Sequence, residues 1–380
     1  MHASTLVPRG RGRRRSLAVL LGLVLFALLA AAPVSAQPSV TVITSGLDNP
    51  RGIALSPTGS IYVAEAGRGG AGPCFPGPEG SDVCFGASGA ITRVFHGGGF
   101  NRVVSGVPSV ANPDGSAAIG PSDIVFDADG HTFATFGLGA DPALRETLPL
   151  PGADMAQLSR IRRPLGTWRS IADIGDFEAS QNPDGGLPDS NPFGLLSVGR
   201  GFVLTDAGGN SLLRVTAARN IQTLAVFPDR MVDAPPFLGL PPGTQIPMQA
   251  VPTSVVRRAG NYYVGQLTGF PFPVGAANLY RVPADGGTPE VFASGFTNII
   301  DVALAPDGGF YVLEIAHNSL LSGDLTGGLY HVAADGTKNL LLTEPLFAPG
   351  GIAVRSSDGA LFITNCGVCP GGGQVLRVML

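Results

Sequence analysis

The sequence predicts an all-β fold, a six-bladed β-propeller whose blades each contain four antiparallel strands. Three observations lead to this prediction. One hairpin-like unit recurs along the chain, each copy is followed by further strand-like segments, and a segment near the start supplies a strand that is missing at the end. Repeats with a period of about 50 residues are typical of propellers and solenoids.

The repeated unit is clearest at residues 295–314. An apolar segment (299–304) is followed by Pro306-Asp-Gly308 and by an aromatic and β-branched segment (310–314). Asp-Gly provides the positive φ that a tight turn requires, and apolar segments on both sides of such a turn are typical of a β-hairpin. The pattern recurs, with or without Asp-Gly, in six units anchored near Ile53, Ile124, Leu195, Val255, Val302 and Ile352.

A third and a fourth strand-like segment follow each unit except the sixth, which reaches Leu380 without a fourth strand. Residues 40–43 (Val-Thr-Val-Ile) precede the first unit and have no other strand to pair with. We therefore predict that this segment completes the last blade and closes the ring. Closure removes the exposed strand edges that an open sheet would leave.

Residues 1–36 are predicted to be a signal peptide and residues 37–380 the propeller. Five arginines precede an apolar segment (17–32) that ends in Val34-Ser-Ala36, the pattern of a secretory signal with a small-residue cleavage site. Arg14-Arg15 also fits a twin-arginine signal, so the export route stays open. The alternative is an uncleaved membrane anchor, because the apolar segment almost reaches spanning length. We expect a secreted or extracytoplasmic protein of the bacterial cell envelope, in contact with a membrane only if the signal is uncleaved.

The composition fits an exported all-β domain and excludes some partners. Gly 55 and Pro 33 are high counts and only 14% of residues are charged, as expected for many turns around a large core. Removing residues 1–36 removes five arginines and no acid, so 19 basic residues remain against 28 acidic ones, a net charge of −9. This negative balance argues against nucleic acid and anionic membranes as partners.

The long connections are predicted to share one face of the propeller. In an up-and-down blade, the connections between second and third strands leave from the same face as those between blades. The long segments all fall in these two classes, at 67–89, 137–156, 176–192, 227–252 and 315–327. Binding residues concentrate on loops held by a rigid scaffold. The alternative is that these loops only cap the central channel.

Four cysteines lie in these loops, Cys74 and Cys84 in blade one and Cys366 and Cys369 in blade six. In an exported protein an even number of cysteines favours disulfides. We favour the pairs Cys74–Cys84 and Cys366–Cys369 over the two other connectivities. A Cys-x-x-Cys redox site and a four-cysteine zinc site are the alternatives, and neither has the surrounding pattern that it requires.

Polar residues at the ends of the inner strands are the strongest candidates for a chemical or metal-binding site. Asp123, Asn191 and Asp301 are candidate ligands for Ca²⁺ because oxygen ligands would converge at the channel mouth. The alternative is that each Asp or Asn caps its own turn. The sequence requires no cofactor, and Ca²⁺ is the candidate if one is bound. A second ring at the ends of the second strands, expected to brace the following loops, contains Glu65, Asp206, Gln266, Glu314 and Asn365.

An apolar shelf is predicted beside this mouth. Phe270 and Phe272 alternate with prolines in a blade-four loop, next to Gln266. Proline stiffens the loop and lowers the entropy lost when the aromatic rings meet a ligand. With Asn298 and Asp301 nearby, these residues are the candidate ligand-binding set, because an apolar surface with a few polar groups is typical of small-molecule sites. The alternative is that both rings fold inward as a lid.

Two function classes remain. No Gly-x-Ser-x-Gly or His-Glu-x-x-His motif is present, and of the histidines after residue 36 only His317 falls in a long loop. We therefore favour a non-catalytic binding or scaffold protein that presents its loop face to a small molecule or protein of unknown identity. The alternative is a Ca²⁺-dependent lactone or ester hydrolase, as six-bladed propellers sometimes host, with its site at the channel mouth. Whether the protein is an enzyme stays open.

Several motifs resemble a known family. They are Gly46-Leu-Asp-Asn-Pro-Arg-Gly52, Asn-Pro-Asp-Gly-Gly (182–186), Asp-Ser-Asn-Pro (189–192), Asp-Ala-Gly-Gly-Asn (206–210), Gly-Gln-Leu-Thr-Gly-Phe-Pro-Phe-Pro (265–273), Gly-Phe-Thr-Asn-Ile-Ile-Asp (295–301) and Asn-Cys-Gly-Val-Cys-Pro (365–370). The units resemble NHL-type repeats, and the whole chain after residue 36 resembles the ScyD/ScyE family of exported bacterial propellers. The resemblance implies a six-bladed propeller outside the cytoplasm and transfers no catalytic residue.

The signal interpretation predicts a mature N-terminus near Gln37. N-terminal sequencing of exported protein should start there, because the small residues before Gln37 form the cleavage site. Recovery of Met1 in the membrane fraction would show that the segment is an anchor.

Overall fold

The computed structural model describes His2, Leu6 and residues 38–78 and 80–380. The predicted signal peptide, apart from His2 and Leu6, lies outside the described residues. The unit from Pro38 to Leu380 is built from six four-stranded antiparallel sheets, with two short additions. The all-β, six-bladed propeller predicted from the sequence is confirmed.

The strands follow one another blade by blade. The first half of the ring contains β1 (Ser39–Leu47), β2 (Pro50–Leu55), β3 (Ile61–Glu65), β4 (Cys74–Pro76), β5 (Asp82–Val94), β6 (Phe100–Ala111), β7 (Pro121–Phe126), β8 (Thr132–Phe136), β9 (Gln157–Arg162), β10 (Thr167–Asp173), β11 (Pro192–Val198), β12 (Gly201–Asp206), β13 (Ser211–Val215) and β14 (Ile221–Val226). The second half contains β15 (Arg230–Asp233), β16 (Gln245–Met248), β17 (Pro252–Arg258), β18 (Asn261–Gln266), β19 (Ala277–Pro283), β20 (Glu290–Phe296), β21 (Ile299–Leu304), β22 (Phe310–Glu314), β23 (Gly328–Val332), β24 (Lys338–Leu342), β25 (Gly351–Val354), β26 (Leu361–Asn365) and β27 (Gly373–Met379).

Each blade begins at the centre of the ring and ends at its rim. Blades two to five are β7–β10, β11–β14, β17–β20 and β21–β24, each in sequential order. Every residue of the second strands β3, β8, β22 and β26 is buried. These strands are covered on both faces by neighbouring blades, so they are mostly apolar on both faces and lack the alternation of a half-exposed strand.

The ring closes as predicted. Blade six has the order β1–β27–β26–β25, and β1 pairs antiparallel with β27, with Val40 opposite Val378. Buried apolar residues of the first and last blades, among them Ile53 and Phe362, pack in one cluster. The blade-six disulfide loop adds a further link, because the carbonyl oxygen of Cys369 accepts the amide of Asn49 at 3.1 Å.

Three of the predicted long loops contain regular structure that the sequence analysis missed. The prediction of a loop at 67–89 is wrong in part, because β4 pairs there with the start of β5 and places Cys74 directly opposite Cys84. The connection at 227–252 contains the hairpin β15–β16. The loop at 176–192 begins inside a short helix, α1 (Ile174–Gln181), capped by the side chain of Asp173 and ended by Asn182 in a left-handed conformation. Five short 3₁₀ turns complete the described secondary structure, at Pro142–Thr147, Gly152–Asp154, Arg163–Leu165, Pro236–Leu238 and Leu320–Ser322.

Both predicted disulfides, Cys74–Cys84 and Cys366–Cys369, are present. Disulfides persist in oxidising compartments, which agrees with an extracytoplasmic location. Within the part of the chain that the structure describes, no helix has the length and apolar character needed to cross a membrane.

Ring closure can be tested by truncation. A chain that begins at Gly46 loses most of β1, and we expect it to unfold with at least about 3 kcal/mol less stability and to aggregate. The loss combines the packing of Val40 and Ile43 with an exposed edge on β27. A chain that begins at Pro38 is the matched control. Equal thermal unfolding of the two chains would show that β1 does not hold the ring closed.

Candidate functional site

The long connections lie on one face because of the antiparallel order of the blades. The turns that join the first strand of a blade to the second, and the third to the fourth, lie on the other face. That face therefore carries only short turns. The elaborated side, here called the loop face, carries α1, the β15–β16 hairpin and both disulfide loops. It surrounds the mouth of the channel between the inner strands.

The centre of this mouth is formed by the residue that precedes each anchor position. Asp123 and Asp301 use both carboxylate oxygens there. Asp123 accepts the amide of Ile124 at 2.7 Å and, across the blade boundary, that of Leu195 at 2.7 Å. Asp301 accepts the amides of Val302 and of Ile352 in the next blade, both at 2.8 Å. Each aspartate therefore joins its own blade to the following one.

The space between these strands is small. Asp123 and Asp301 line a cavity of about 10 Å³. Its other lining residues include Gly52, Ser122, Gly194 and Thr253. A single water needs about this much space. Burial raises the pKa of Asp301 to about 7. Burial, followed by repulsion from Asp301, also holds the pKa of Asp123 well above its ordinary value.

Asn298 and Thr253, which also lie near the mouth, are held by protein contacts, whereas the side-chain oxygen of Asn191 is not. Asn298 is fully buried, and its amide nitrogen donates to the carbonyl of Leu267 at 2.8 Å while its oxygen accepts the amide of Leu320. The hydroxyl of Thr253 donates to the carbonyl of Ile299 in the next blade at 2.8 Å. The side-chain oxygen of Asn191 is buried and has no hydrogen-bond partner.

Of the three proposed Ca²⁺ ligands, two are already occupied by backbone groups. A cation at Asp123 and Asp301 would compete with four backbone hydrogen bonds in a cavity of water size, and only Asn191 offers a free oxygen. Ca²⁺ requires six to eight oxygen ligands. The donor set at the channel mouth therefore fits a cation poorly in this conformation.

The residues of the second ring bind mainly the turns that precede the first strands, and not the following loops that the sequence analysis expected; Asp206 also binds its following loop, through the amides of Gly208 and Gly209. Glu65 accepts the amide of Asp48 at 2.6 Å, and Glu314 accepts that of Thr297 at 2.6 Å. Asp206 and Asn365 accept amides in the same way, and Gln266 accepts that of Asn278. Four of these five residues thus fix the turn that leads into the first strand of their own blade.

The predicted phenylalanines contribute to an exposed aromatic group. The side chain of Phe270 is 40% exposed and that of Phe237, on the 3₁₀ turn at 236–238, is 68% exposed. Phe270 contacts both Phe237 and the half-buried Phe272 in edge-to-face geometry, at 6.2 and 6.5 Å between ring centres. We call Phe237, Phe270 and Phe272 the aromatic shelf. The hydroxyl of Ser319 donates to the carbonyl of Phe272 at 2.7 Å and ties the shelf to blade five.

A histidine–carboxylate pair lies in the neighbouring loop and was missed in the sequence. Nδ1 of His317 is 2.7 Å from a carboxylate oxygen of Glu314, which is fully buried. Burial raises the pKa of Glu314. The hydroxyl of Tyr330 lies 3.3 Å from the same ring nitrogen. Burial, and then the charge of Glu314, raises the pKa of Tyr330 to about 12. The three-residue spacing of Glu314 and His317 is the only sequence signal for this pair.

A larger surface groove lies outside the loop face. It has a volume of about 410 Å³ and lies between the short turns of blade two, where it is lined by Arg160, Arg162 and Arg163. The guanidinium of Arg163 stacks on Tyr62 and Phe126 and donates to the Tyr62 hydroxyl at 2.7 Å. The groove is open, and Arg163 is engaged in joining blades one and two.

Comparison with known proteins supports the fold. No protein-family model and no curated sequence matches the chain. A Bacteroides thetaiotaomicron protein of unknown function has a TM-score of 0.54 at 10% identity, covering 90% of this chain and 75% of its own. An auxiliary nutrient binding protein from the same organism has 0.53 at 9% identity, with 90% and 76% covered. Regucalcin, a calcium-binding protein from Agrobacterium tumefaciens, has 0.51 at 13% identity, with 90% and 94% covered. The similar structures are six-bladed β-propellers, and similarity at this level of identity establishes the fold alone.

The buried aspartate at the channel mouth predicts a pH dependence. The pKa of Asp301 is about 7 in the folded protein, against an ordinary value of 3.8. The contribution of Asp301 to stability is therefore full below pH 3.8 and is lost as the pH rises through 7. Asp123 is the other titratable group lining the cavity. We expect unfolding free energy to fall between pH 5 and pH 8, and Asp301→Asn to reduce that fall by about 1–2 kcal/mol. Thermal or urea unfolding at pH 5 and at pH 8 measures this fall in the unfolding free energy.

Asp335→Asn is the control, because Asp335 is an exposed turn residue. The same pH slope in Asp301→Asn and in the unmodified protein would show that Asp301 is ionised in the fold.

Proposed function

We propose that the protein is an exported, non-catalytic binding propeller whose loop face captures a small molecule or a protein through an apolar group. The observation that carries this proposal is the aromatic shelf. Three phenylalanines from two separate loops meet there, and two of them, Phe237 and Phe270, are exposed. Exposed aromatic clusters held on a rigid scaffold are typical of binding surfaces.

The neighbouring loops extend the shelf with further apolar groups. Leu238, Leu240 and Val274 are each at least 40% exposed and belong to the same two connections as the phenylalanines. Hydrogen bonds hold the phenylalanine loop in place, because Asn298 and Ser319 bind its backbone at residues 267 and 272. A pre-formed surface loses little conformational entropy when it binds a partner. Of the predicted ligand-binding residues, Phe270 and Phe272 therefore act as contacts, whereas Asn298 and Gln266 position the loop.

Three further considerations agree with a binding role outside the cytoplasm. The disulfides and the predicted signal peptide suit an exported protein. The resemblance to the ScyD/ScyE family implies an exported propeller and no catalytic group. Binding proteins are present among propellers of similar structure, including the auxiliary nutrient binding protein and regucalcin.

The alternative is a hydrolase of lactones or esters, and one observation favours it. His317 is oriented by a buried carboxylate, which is the arrangement of a general base. Because Asp123 and Asp301 already accept four backbone amides, this alternative rests on His317 and not on a Ca²⁺ ion at the channel mouth. This alternative predicts that hydrolysis of a p-nitrophenyl ester or an aliphatic lactone is lost in His317→Ala. Activity at the level of buffer alone in the unmodified protein would exclude these substrates.

The shelf can be tested by removing its exposed rings. The double variant Phe237→Ser, Phe270→Ser should lose most of the fluorescence enhancement of the apolar probe 1-anilinonaphthalene-8-sulfonate. It should also lose the molecules that the immobilised unmodified protein captures from the exported fraction of the producing cells. Thermal unfolding should change little, because exposed substitutions usually cost within about 0.5 kcal/mol each.

Leu340→Ala is the matched control, since Leu340 is 47% exposed on the rim strand of blade five, outside the shelf. Phe272→Ala should cost less than the roughly 3 kcal/mol of a fully buried phenylalanine. Unchanged probe binding in the double variant, or equal loss in Leu340→Ala, would refute the shelf as the binding surface.

A further inference from the structure

A cluster of four acidic residues lies in the connection from blade two to blade three. Glu178 is on α1, Asp184 and Asp189 are in the loop that follows, and Asp206 ends β12. The motifs at 182–186, 189–192 and 206–210 contribute three of them. The proposed binding function makes no use of this cluster.

Asp206 is the structural member of the cluster. Its carboxylate accepts the hydroxyl of Ser190 at 2.7 Å and the amides of Asn191, Gly208 and Gly209 at 2.6 to 3.2 Å. With four donors, Asp206 needs no further partner. It fixes a negative charge at the base of the cluster.

Glu178 and Asp189 are in the opposite situation. Glu178 is 1% exposed, and neither of its carboxylate oxygens receives a hydrogen bond of ordinary geometry, although the amide of Asp189 lies near enough to lower its pKa slightly. One oxygen of Asp189 and the side-chain oxygen of Asn182 are also buried without a partner. Four buried oxygen atoms of α1 and the loop after it thus lack donors, and such atoms usually have a partner.

The surrounding backbone leaves space for these oxygens. A Cβ atom on Gly208 would lie 2.7 Å from the unpaired oxygen of Asp189, and one on Gly209 would lie 2.6 Å from an oxygen of Glu178. Both carboxylates therefore point at the same Gly-Gly segment. A side chain at either glycine would displace them.

The charge of the cluster is uncompensated. Among residues 38–78 and 80–380, no Lys, Arg or His forms a salt bridge with any of the four carboxylates. Burial, and then the neighbouring carboxylates, raises the pKa of Glu178 to about 8 and that of Asp189 to about 7. Glu178 is buried without a basic partner or a hydrogen-bond donor of ordinary geometry, so binding of a proton or a cation is favoured, because an isolated buried charge is costly.

We propose that Glu178 and Asp189 hold a divalent cation of the Ca²⁺ type, with the side-chain oxygen of Asn182 as a neutral ligand. Carboxylate and amide oxygens in an irregular loop suit Ca²⁺, which accepts flexible geometry, better than Mg²⁺, which requires a near-ideal octahedron. The bound cation would fix α1 and its following loop to the Gly-Gly segment after β12.

A second acidic group provides a contrast. Asp127, Asp129 and His131 form the only group, among the described residues, of three carboxylate or imidazole ligands within 4.8 Å of one another. It is exposed, and both oxygens of Asp127 are bonded within the turn. No three carboxylates of the buried cluster meet that spacing, so we assign only two of them, Glu178 and Asp189, as charged ligands of one cation.

Calorimetric titration of the purified, chelator-treated protein with CaCl₂ at pH 7.5 tests the proposal. We expect one saturable site, release of protons on binding because the raised pKa values leave the carboxyl groups partly protonated, and a higher melting temperature with Ca²⁺. Glu178→Gln and Asp189→Asn should each weaken binding about tenfold or more, because the ligand charge falls. Asp127→Asn should bind Ca²⁺ as the unmodified protein does.

The outcomes separate the possibilities. Glu178→Gln should melt at or above the unmodified protein in chelator at pH 8, since it removes a buried charge, so loss of Ca²⁺ binding would not reflect unfolding. Absence of saturable binding, equal binding in Glu178→Gln and Asp189→Asn, or loss only in Asp127→Asn would overturn the proposal. Tighter binding of Mg²⁺ would overturn the assignment to Ca²⁺. These variants leave the aromatic shelf intact, so the two proposals fail independently.

Discussion

The closed ring depends on hydrogen bonds that cross from one blade to the next around the central axis. Asp123 and Asp301 each accept an amide of the following blade. The cost of burying these carboxyl groups is offset by the four backbone donors that they satisfy. The same contact restricts the preceding blade, because a Cβ on Gly52 would lie 2.2 Å from the carboxylate of Asp123. The carboxylate of Asp123 therefore occupies the space that a side chain at residue 52 would need, and the two positions pack as a pair.

Much of the fold could be predicted from local sequence patterns. The bounds of β21 and β22 agree with the predicted segments 299–304 and 310–314 because turn residues and apolar runs define them directly. Ring closure followed from counting strands, and the disulfides from cysteine positions in neighbouring loops. The helix α1 and the hairpin β15–β16 were missed because they are too short to show a period. Their stability comes from caps and tertiary contacts.

The candidate site was harder to predict than the fold. Sequence located polar residues at the strand ends, but it could not show whether an oxygen faces a cavity or a backbone amide, since Asp and Asn readily bind nearby backbone. Asn298 and Asp301 both bind backbone groups. Phe237 belongs to the shelf although it lies more than thirty residues before Phe270 in the chain. No local sequence pattern predicts a contact at that separation. Raised pKa values arise from burial, which is equally a tertiary property.

The composite last blade has a consequence for the order of events during biosynthesis. Its rim strand, β1, is made before every other strand of the ring, whereas its partner β27 is made last. A growing chain can assemble blades one to five, yet β1 must stay unpaired until residues 373–379 have emerged. Closing a loop of this length is entropically slow. Until then an exposed edge remains at each end of the partly built ring, and an interrupted chain would carry both of them as points of intermolecular pairing.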